Sequence, residues 1–206
     1  YEQPVGIYRK TFDISSLDKV YILSFLGVIS CLDLYVNGEF VGYSEGAHNT
    51  AEFDITKYVV NGENEIFAVI HKWSNGTFLE CQDMFRENGI FRDVLLYEMP
   101  ATYINDAYYR TKETSNGWNL SINTSVLGKT EGYSLCAEIY YKNKLIAKEC
   151  SDASASSIEF KNLDVKSWNA EIPTLYTAFL TLYNGENEVM TIRNFIGFKT
   201  VKIKKD

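Results

Sequence analysis

The stretch Trp118-Asn-Leu-Ser-Ile-Asn-Thr-Ser-Val126 decides the fold class of this chain. Its apolar residues, Trp118, Leu120, Ile122 and Val126, lie on one side of an extended chain, and the polar residues between them lie on the other. A period of two is that of a β-strand with one buried face. The stretch therefore predicts a half-buried strand.

Other segments extend this prediction to the whole chain. Residues 66–73 and 176–183 are nearly continuous apolar runs, which are typical of more deeply buried strands. The chain also contains 15 Tyr and 12 Phe, residue types that favour strands. No segment shows helical periodicity beyond about three turns, and the best short helical turn is residues 55–59. We therefore expect an all-β protein.

Turn and boundary signals divide the chain further. Asn-Gly steps at Asn37-Gly38, Asn61-Gly62 and Asn184-Gly185 lie between apolar runs, and Asn-Gly is the strongest short signal for a β-hairpin. Pro100 cannot donate to a strand ladder and follows a run of strand-like residues. We predict one β-sandwich at residues 1–99 and a second at residues 100–206, of the length and strand number of an immunoglobulin-like domain.

Charge and hydropathy exclude some functions. The net charge is −7, and the only basic run, Lys202, Lys204 and Lys205, is typical of a solvated strand face. Binding to a nucleic-acid backbone is not expected. No apolar stretch has the length of a membrane span, and no signal peptide opens the chain. Tyr1 is not a natural start, so we expect a fragment.

The four cysteines, Cys31, Cys81, Cys136 and Cys150, form no CxxC pair, which argues against zinc. In a chain of this size they are typical of buried thiols in a reducing compartment, and we expect free thiols. Cys136 and Cys150 can face each other across a hairpin, and the sequence leaves that pairing open.

Four segments carry a resemblance to a known family. They are Gly6–Phe12, Leu34–Tyr43 with Glu52–Ile55, Trp73–Phe85 with Gly89–Val94, and Trp168–Tyr176 with Ile196–Val201. In order and spacing they resemble the β-galactosidases of glycoside hydrolase family 2. They correspond to the entry strand of the family's sugar-binding domain, to its central hairpin with the strand beyond, to the most distinctive β-galactosidase stretch and to the end of the immunoglobulin-like domain.

The resemblance implies a jelly-roll-like sandwich followed by an immunoglobulin-like sandwich. It also implies that the catalytic barrel, with the two glutamates of retaining hydrolysis, begins just after residues 197–201. We therefore expect no catalytic residue in this chain. It would be a scaffold of a cytoplasmic, homo-oligomeric enzyme for terminal β-galactosides, with subunit contacts and contacts to its own barrel.

Asp83 is the one site residue that the resemblance implies. The matching Asp of β-galactosidases contacts the 6-hydroxyl of the substrate and helps to hold Na⁺, a hard cation that prefers oxygen ligands. The alternative is that Asp83 caps a turn. Glu45 and Asn75 match positions near a divalent-cation site, Mg²⁺ in some members, but are expected to be exposed loop residues. Glu80 and Asp83 lie too close in one loop to flank a glycosidic bond.

Aromatic and histidine side chains have simpler explanations. Trp73, Trp118 and Trp168 are expected in the core rather than as sugar platforms. His71 lies in a strand and is expected to be a core residue with a satisfied hydrogen bond. Three alternatives to the β-galactosidase interpretation remain open: a free-standing carbohydrate-binding module, an adhesion or assembly protein, and another family 2 hydrolase of the β-glucuronidase or β-mannosidase type.

Overall fold

A computed structural model of the chain describes residues 2–79 and 88–201. The Cα positions separate two compact units, Tyr1–Met99 and Pro100–Asp206, and each unit is treated by itself below. Among the described residues, no helix is long and apolar enough to cross a membrane.

Strands dominate both units, which confirms the all-β prediction. Within residues 2–79 and 88–201, the helical elements are a 3₁₀ turn at Thr56–Tyr58 and a single turn α1 at Gly76–Leu79. The strands of the first unit are β1 (Val5–Ile14), β2 (Val20–Phe25), β3 (Val28–Ile29), β4 (Cys31–Val36), β5 (Glu39–Glu45), β6 (Ala51–Asp54), β7 (Gly62–His71), β8 (Gly89–Ile90) and β9 (Val94–Met99). Those of the second are β10 (Tyr103–Thr114), β11 (Gly117–Leu127), β12 (Tyr133–Tyr141), β13 (Lys144–Asp152), β14 (Ser157–Leu163), β15 (Tyr176–Asn184) and β16 (Asn187–Ile196).

The first unit is built from antiparallel sheets. One has the order β1-β7-β4-β5, a second has the order β6-β2-β9, and β3 pairs with β8. Alternate residues of β4 point into the core, where Leu32, Leu34 and Val36 are at most 1% exposed. They pack in one cluster with Leu23 and Phe25 of β2. The remaining residues of β4 lie on the outer face of its sheet, because successive side chains of a strand point to opposite sides.

The described part of the second unit, up to residue 201, contains the seven strands expected of an immunoglobulin-like sandwich. A three-stranded sheet β10-β11-β14 and a four-stranded sheet β13-β12-β15-β16 share one core. Trp118, Leu120 and Ile122 are buried as the alternation of β11 predicts. Full burial of a Leu or Ile side chain contributes about 1.5–3 kcal/mol. The period-two pattern thus identifies one wall of this core.

Of the three Asn-Gly steps, two lie in hairpins. Asn37 and Gly38 have φ values of 51° and 83°, as a type I′ turn between β4 and β5 requires. In the β15–β16 hairpin, Asn184 still pairs with Asn187, so Asn184 belongs to the strand and the turn begins at Gly185. The hairpin prediction is wrong for Asn61-Gly62, which leads from the 3₁₀ turn into β7.

The Asn61-Gly62 turn is organised by one buried amide. The Asn64 side chain accepts hydrogen bonds from the Val60 amide and from the side-chain amide of Asn37, and donates to the carbonyls of Val60 and Gly62. Asn64 is 1% exposed, so these partners replace the water that it loses. The side chain of Asn64, two residues after Gly62, thus holds this turn.

The prediction of free thiols is wrong for Cys136 and Cys150, which form a disulfide. The two residues lie directly opposite each other on β12 and β13, with their Cα atoms 4.1 Å apart. Pairing of the strands brings the sulfur atoms together, which residue spacing alone left open. Cys31 is a buried free thiol, and Cys81 lies outside the described residues.

Candidate functional site

The segment that carries the predicted site residue is described on both sides but not at its centre. Asp83 and Glu80 lie outside the described residues, so the structure does not test the predicted contacts of Asp83. The described part of this segment runs from the end of β7 through α1. Its backbone is held by side chains from three other places in the first unit.

The first of these side chains is Gln3. Its amide nitrogen donates to the Trp73 carbonyl (2.7 Å), and its amide oxygen accepts from the Trp73 backbone amide (3.0 Å). The side chain thus pairs with the backbone as a neighbouring strand would. The Lys72 amide donates to the Pro4 carbonyl on the same side (3.0 Å). The chain is therefore fixed immediately after β7 ends.

A cluster of three hydroxyls holds the next residues. The hydroxyl of Ser30, which is 7% exposed, contacts those of Ser74 and Thr77. The Thr77 hydroxyl also accepts a hydrogen bond from the Ser74 backbone amide (3.0 Å). Each hydroxyl can both donate and accept, so the three hydroxyls can serve as hydrogen-bond partners for one another.

The carboxylate of Glu45 is the third holding group. One oxygen accepts from the Gly76 backbone amide and the other from the Tyr43 hydroxyl (2.8 Å). The Gly76 amide and the Tyr43 and Ser74 hydroxyls lower the pKa of Glu45 below its ordinary value, because they stabilise the charged form. Glu45 lies at the end of β5 rather than in an exposed loop, which corrects the expectation for this residue. Asn75 is exposed as expected.

The described residues do not form the divalent-cation site that Glu45 and Asn75 suggested. Both carboxylate oxygens of Glu45 already accept hydrogen bonds within the protein. Within residues 2–79 and 88–201, no group of three or more His, Cys, Asp or Glu side chains is placed to hold a metal ion. Mg²⁺ prefers several oxygen ligands in octahedral geometry, so a site of this kind stays a prediction for the longer protein.

The expectations that His71 and the three tryptophans are core residues have mixed outcomes. His71 is not a core residue: its Nε2 atom lies 2.9 Å from Oδ2 of Asp33, and both side chains are partly exposed. Trp118 is buried in the second core, as expected. Trp73 and Trp168 are only half-buried. The alternation of β7 contains the signal for His71, because it places this residue on the outer side of the sheet.

Comparison with known proteins agrees with the fold. The family model described as "Glycosyl hydrolases family 2, sugar binding domain" matches residues 1–100, and the model "Glycosyl hydrolases family 2" matches residues 102–199. Both models describe one class of protein, the glycosyl hydrolases. This chain belongs to glycoside hydrolase family 2.

Curated relatives match nearly the whole chain. A β-galactosidase of Actinobacillus pleuropneumoniae is 37% identical over 99% of the chain, which spans 20% of that protein. A β-galactosidase of Kluyveromyces lactis is 32% identical over 98% of the chain, which spans 23% of it. The "Beta-galactosidase large subunit" of Leuconostoc lactis is 31% identical over 100% of the chain, which spans 34% of it. The chain thus spans about a fifth to a third of these relatives.

Solved structures share the same two-sandwich fold. An FMN-binding β-glucuronidase from Facaelibacterium prausnitzii L2-6 has a TM-score of 0.85 and 20% identity, over 96% of this chain and 33% of that one. A β-glucuronidase from Bacteroides uniformis has a TM-score of 0.83 and 22% identity, over 96% of this chain and 26% of that one. At these identities the likeness concerns the fold alone.

Proposed function

We propose that this chain is the front, non-catalytic part of a longer β-galactosidase, which hydrolyses terminal β-D-galactosides with retention. The observation that carries the proposal is the alignment of nearly the whole chain with curated β-galactosidases at up to 37% identity. Retaining hydrolysis uses two carboxyl groups that flank the glycosidic bond. In this proposal the longer polypeptide supplies both from its barrel, and these residues supply scaffold and subunit contacts in a homo-oligomer.

One assay tests whether the complete gene product is catalytic and the 206-residue chain is not. The complete gene product and the 206-residue chain are compared on a chromogenic β-galactoside, with the matching β-glucuronide and β-mannoside as competing substrates. We expect the complete product to hydrolyse the galactoside fastest and the 206-residue chain to be inactive. Faster hydrolysis of the glucuronide or mannoside would assign the protein to the other family 2 type. Turnover by the purified 206-residue chain would contradict its non-catalytic role.

Asp83 is the one residue through which this chain would take part in chemistry. We propose that its carboxylate contacts the substrate 6-hydroxyl and holds Na⁺ beside the barrel. The contacts described above support this role, because the side chains of Gln3, Ser30 and Glu45 hold the segment from Trp73 to Thr77, ten to six residues before Asp83. Contacts of a carboxylate with an ion or a hydroxyl are charge-assisted and stronger than neutral ones.

The Asp83→Asn variant of the complete gene product tests this role. It keeps the side-chain size but removes the charge, so galactoside turnover and activation by Na⁺ should both fall. Asp13→Asn is the matched control, because Asp13 is an exposed carboxylate on β1. Normal turnover and normal sodium dependence in Asp83→Asn would refute the assignment. Loss of stability with an unchanged sodium response would support the turn cap instead.

A cytoplasmic location stays a prediction and now has an argument against it. Disulfides persist mainly in oxidising compartments, and Cys136 and Cys150 form a disulfide. Fractionation of the producing cell, with the thiols trapped by alkylation before lysis, tests both features together. Recovery of oxidised protein outside the cytoplasm would overturn the predicted location.

A further inference from the structure

The disulfide between Cys136 and Cys150 lies on the surface of the second unit rather than in its core. On β12, Leu135 and Ala137 point into the core and are fully buried, so Cys136 between them lies on the outer face of the sheet. Cys150 lies opposite it on β13 and is exposed, whereas Cys136 is half-buried. The disulfide typical of antibody domains instead joins the two sheets through the core. A reductant can therefore reach this bond in the folded protein.

The two sulfur atoms differ in how a reductant can approach them. Disulfides exchange when a thiolate attacks one sulfur and expels the other as a thiolate, and the attacking sulfur approaches in line with the bond that breaks. Beyond Cys150 lies the open side of the sheet, because β13 is the edge strand in the described part of the chain. Beyond Cys136 lies Thr181 of β15, which is opposite Cys136 in the ladder and only 9% exposed. Attack is thus favoured at Cys150, with Cys136 as the leaving group.

Other contacts keep the two strands together when the disulfide is open. In the neighbouring row, the Lys148 ammonium donates to the Glu138 carboxylate at 2.7 Å. The Tyr140 hydroxyl donates to the second oxygen of that carboxylate at 3.0 Å. The β12–β13 ladder also continues on both sides of the cysteine pair. The two thiols therefore stay opposite each other after reduction, and the bond can form again.

We propose that Cys136 and Cys150 form a thiol–disulfide exchange site, which a dithiol protein reduces through Cys150 while the second unit stays folded. In the first step, a thiolate of the reductant bonds to Sγ of Cys150, and Cys136 leaves as a thiolate and takes up a proton. In the second step, the other thiol of the reductant loses its proton and attacks the reductant's own sulfur in the mixed disulfide. Cys150 leaves as a thiolate and takes up a proton. Two electrons and two protons thus pass from the dithiol to the cysteine pair.

The same geometry favours a dithiol over a monothiol such as glutathione. After the first step, Cys136 still lies opposite Cys150, so its thiolate can attack Cys150 again and expel a monothiol. A dithiol carries its second thiol on the same molecule, so that thiol competes with this reversal. The site lies in the second unit, and its chemistry does not depend on galactoside hydrolysis by the complete gene product.

Reduction of the folded, oxidised 206-residue chain tests the proposal. The chain is exposed at neutral pH to dithiothreitol, to a protein with a CxxC dithiol and to glutathione at equal thiol concentration. Free thiols are trapped by alkylation and located by mass spectrometry, and circular dichroism follows the fold. We expect both dithiols to reduce the bond at rates proportional to their concentration, with the fold retained, and glutathione to leave most of it intact. Reduction that required unfolding would be slower than in denaturant by about 10³-fold or more.

Leu120→Ala is the matched control, because Leu120 is fully buried in the other sheet and its loss favours unfolding without touching the disulfide. Its rate of reduction should equal that of the wild type. Faster reduction of Leu120→Ala by about tenfold or more, or a rate that does not depend on dithiol concentration, would show a route through unfolding and overturn the proposal. Loss of the strand signal on reduction would overturn it as well, and equal reduction by glutathione would overturn the choice of a dithiol.

The attacked sulfur is identified with a CxxC protein that lacks its second cysteine. This protein cannot complete the second step, so it should remain bound to the chain through Cys150. A mixed disulfide on Cys136 instead, or none on either cysteine, would contradict the assigned direction of attack. None of these measurements uses galactoside turnover, so failure of the exchange site and failure of the proposed function are distinguishable.

Discussion

The Cys136–Cys150 disulfide should stabilise the second unit by a measurable amount. The two cysteines are separated by 14 positions, so the bond closes a loop of about 15 residues. In the chain-entropy description, closing such a loop removes freedom from the unfolded chain and contributes about 3 kcal/mol. A domain of about 100 residues shifts its melting temperature by about 4 °C per kcal/mol, so the oxidised form should melt about 12 °C above the reduced form.

Thermal denaturation by circular dichroism, with and without a reducing dithiol, measures this shift. The double variant Cys136→Ser, Cys150→Ser serves as control, because its melting temperature should not respond to the dithiol. Thiol titration of the denatured, unreduced chain should find two fewer free groups than the same titration after full reduction. Four free groups after purification without reductant, or oxidised and reduced forms that melt together, would refute the reasoning.

Three further changes test packing, turn geometry and electrostatics. Leu120→Ala should lower the free energy of unfolding by about 2–5 kcal/mol in urea titrations, because Leu120 is fully buried and its loss leaves a cavity. Gly38→Val should lower the melting temperature although nothing lies within 4 Å of the new Cβ atom, because a β-branched residue is strained at φ +83°; an unchanged value would contradict the assigned turn. Glu45→Gln should lower the melting temperature at pH 7. Since folding lowers the pKa of Glu45, its contribution is present above the ordinary value of 4.5 and is lost as the pH falls through the folded-state value. The difference between wild type and Glu45→Gln should therefore vanish in acid, and a constant difference would exclude the charge as its cause.

Features that depend on neighbours along the chain were predictable from the sequence. The alternation of Trp118, Leu120 and Ile122 identified a half-buried strand, because side chains of an extended backbone point to opposite sides whatever the rest of the fold does. The Asn37-Gly38 turn followed from the positive φ values that these two residue types tolerate. The family resemblance likewise rested on short segments in order, and the family models confirm it.

Tertiary structure alone decided which distant residues meet. Asp33 and His71 are 38 positions apart, and Glu45 and Gly76 are 31 apart. Their contacts arise from strand order and register, which depend on the summed burial of two sheets rather than on any local pattern. The same pairing placed Cys136 opposite Cys150 and overturned the expectation of free thiols, which rested on the size of the chain and the absence of a CxxC pair. Sequence determined the strands and the family; packing of the sheets determined the disulfide, the contact between Glu45 and Gly76, and the contact between Asp33 and His71.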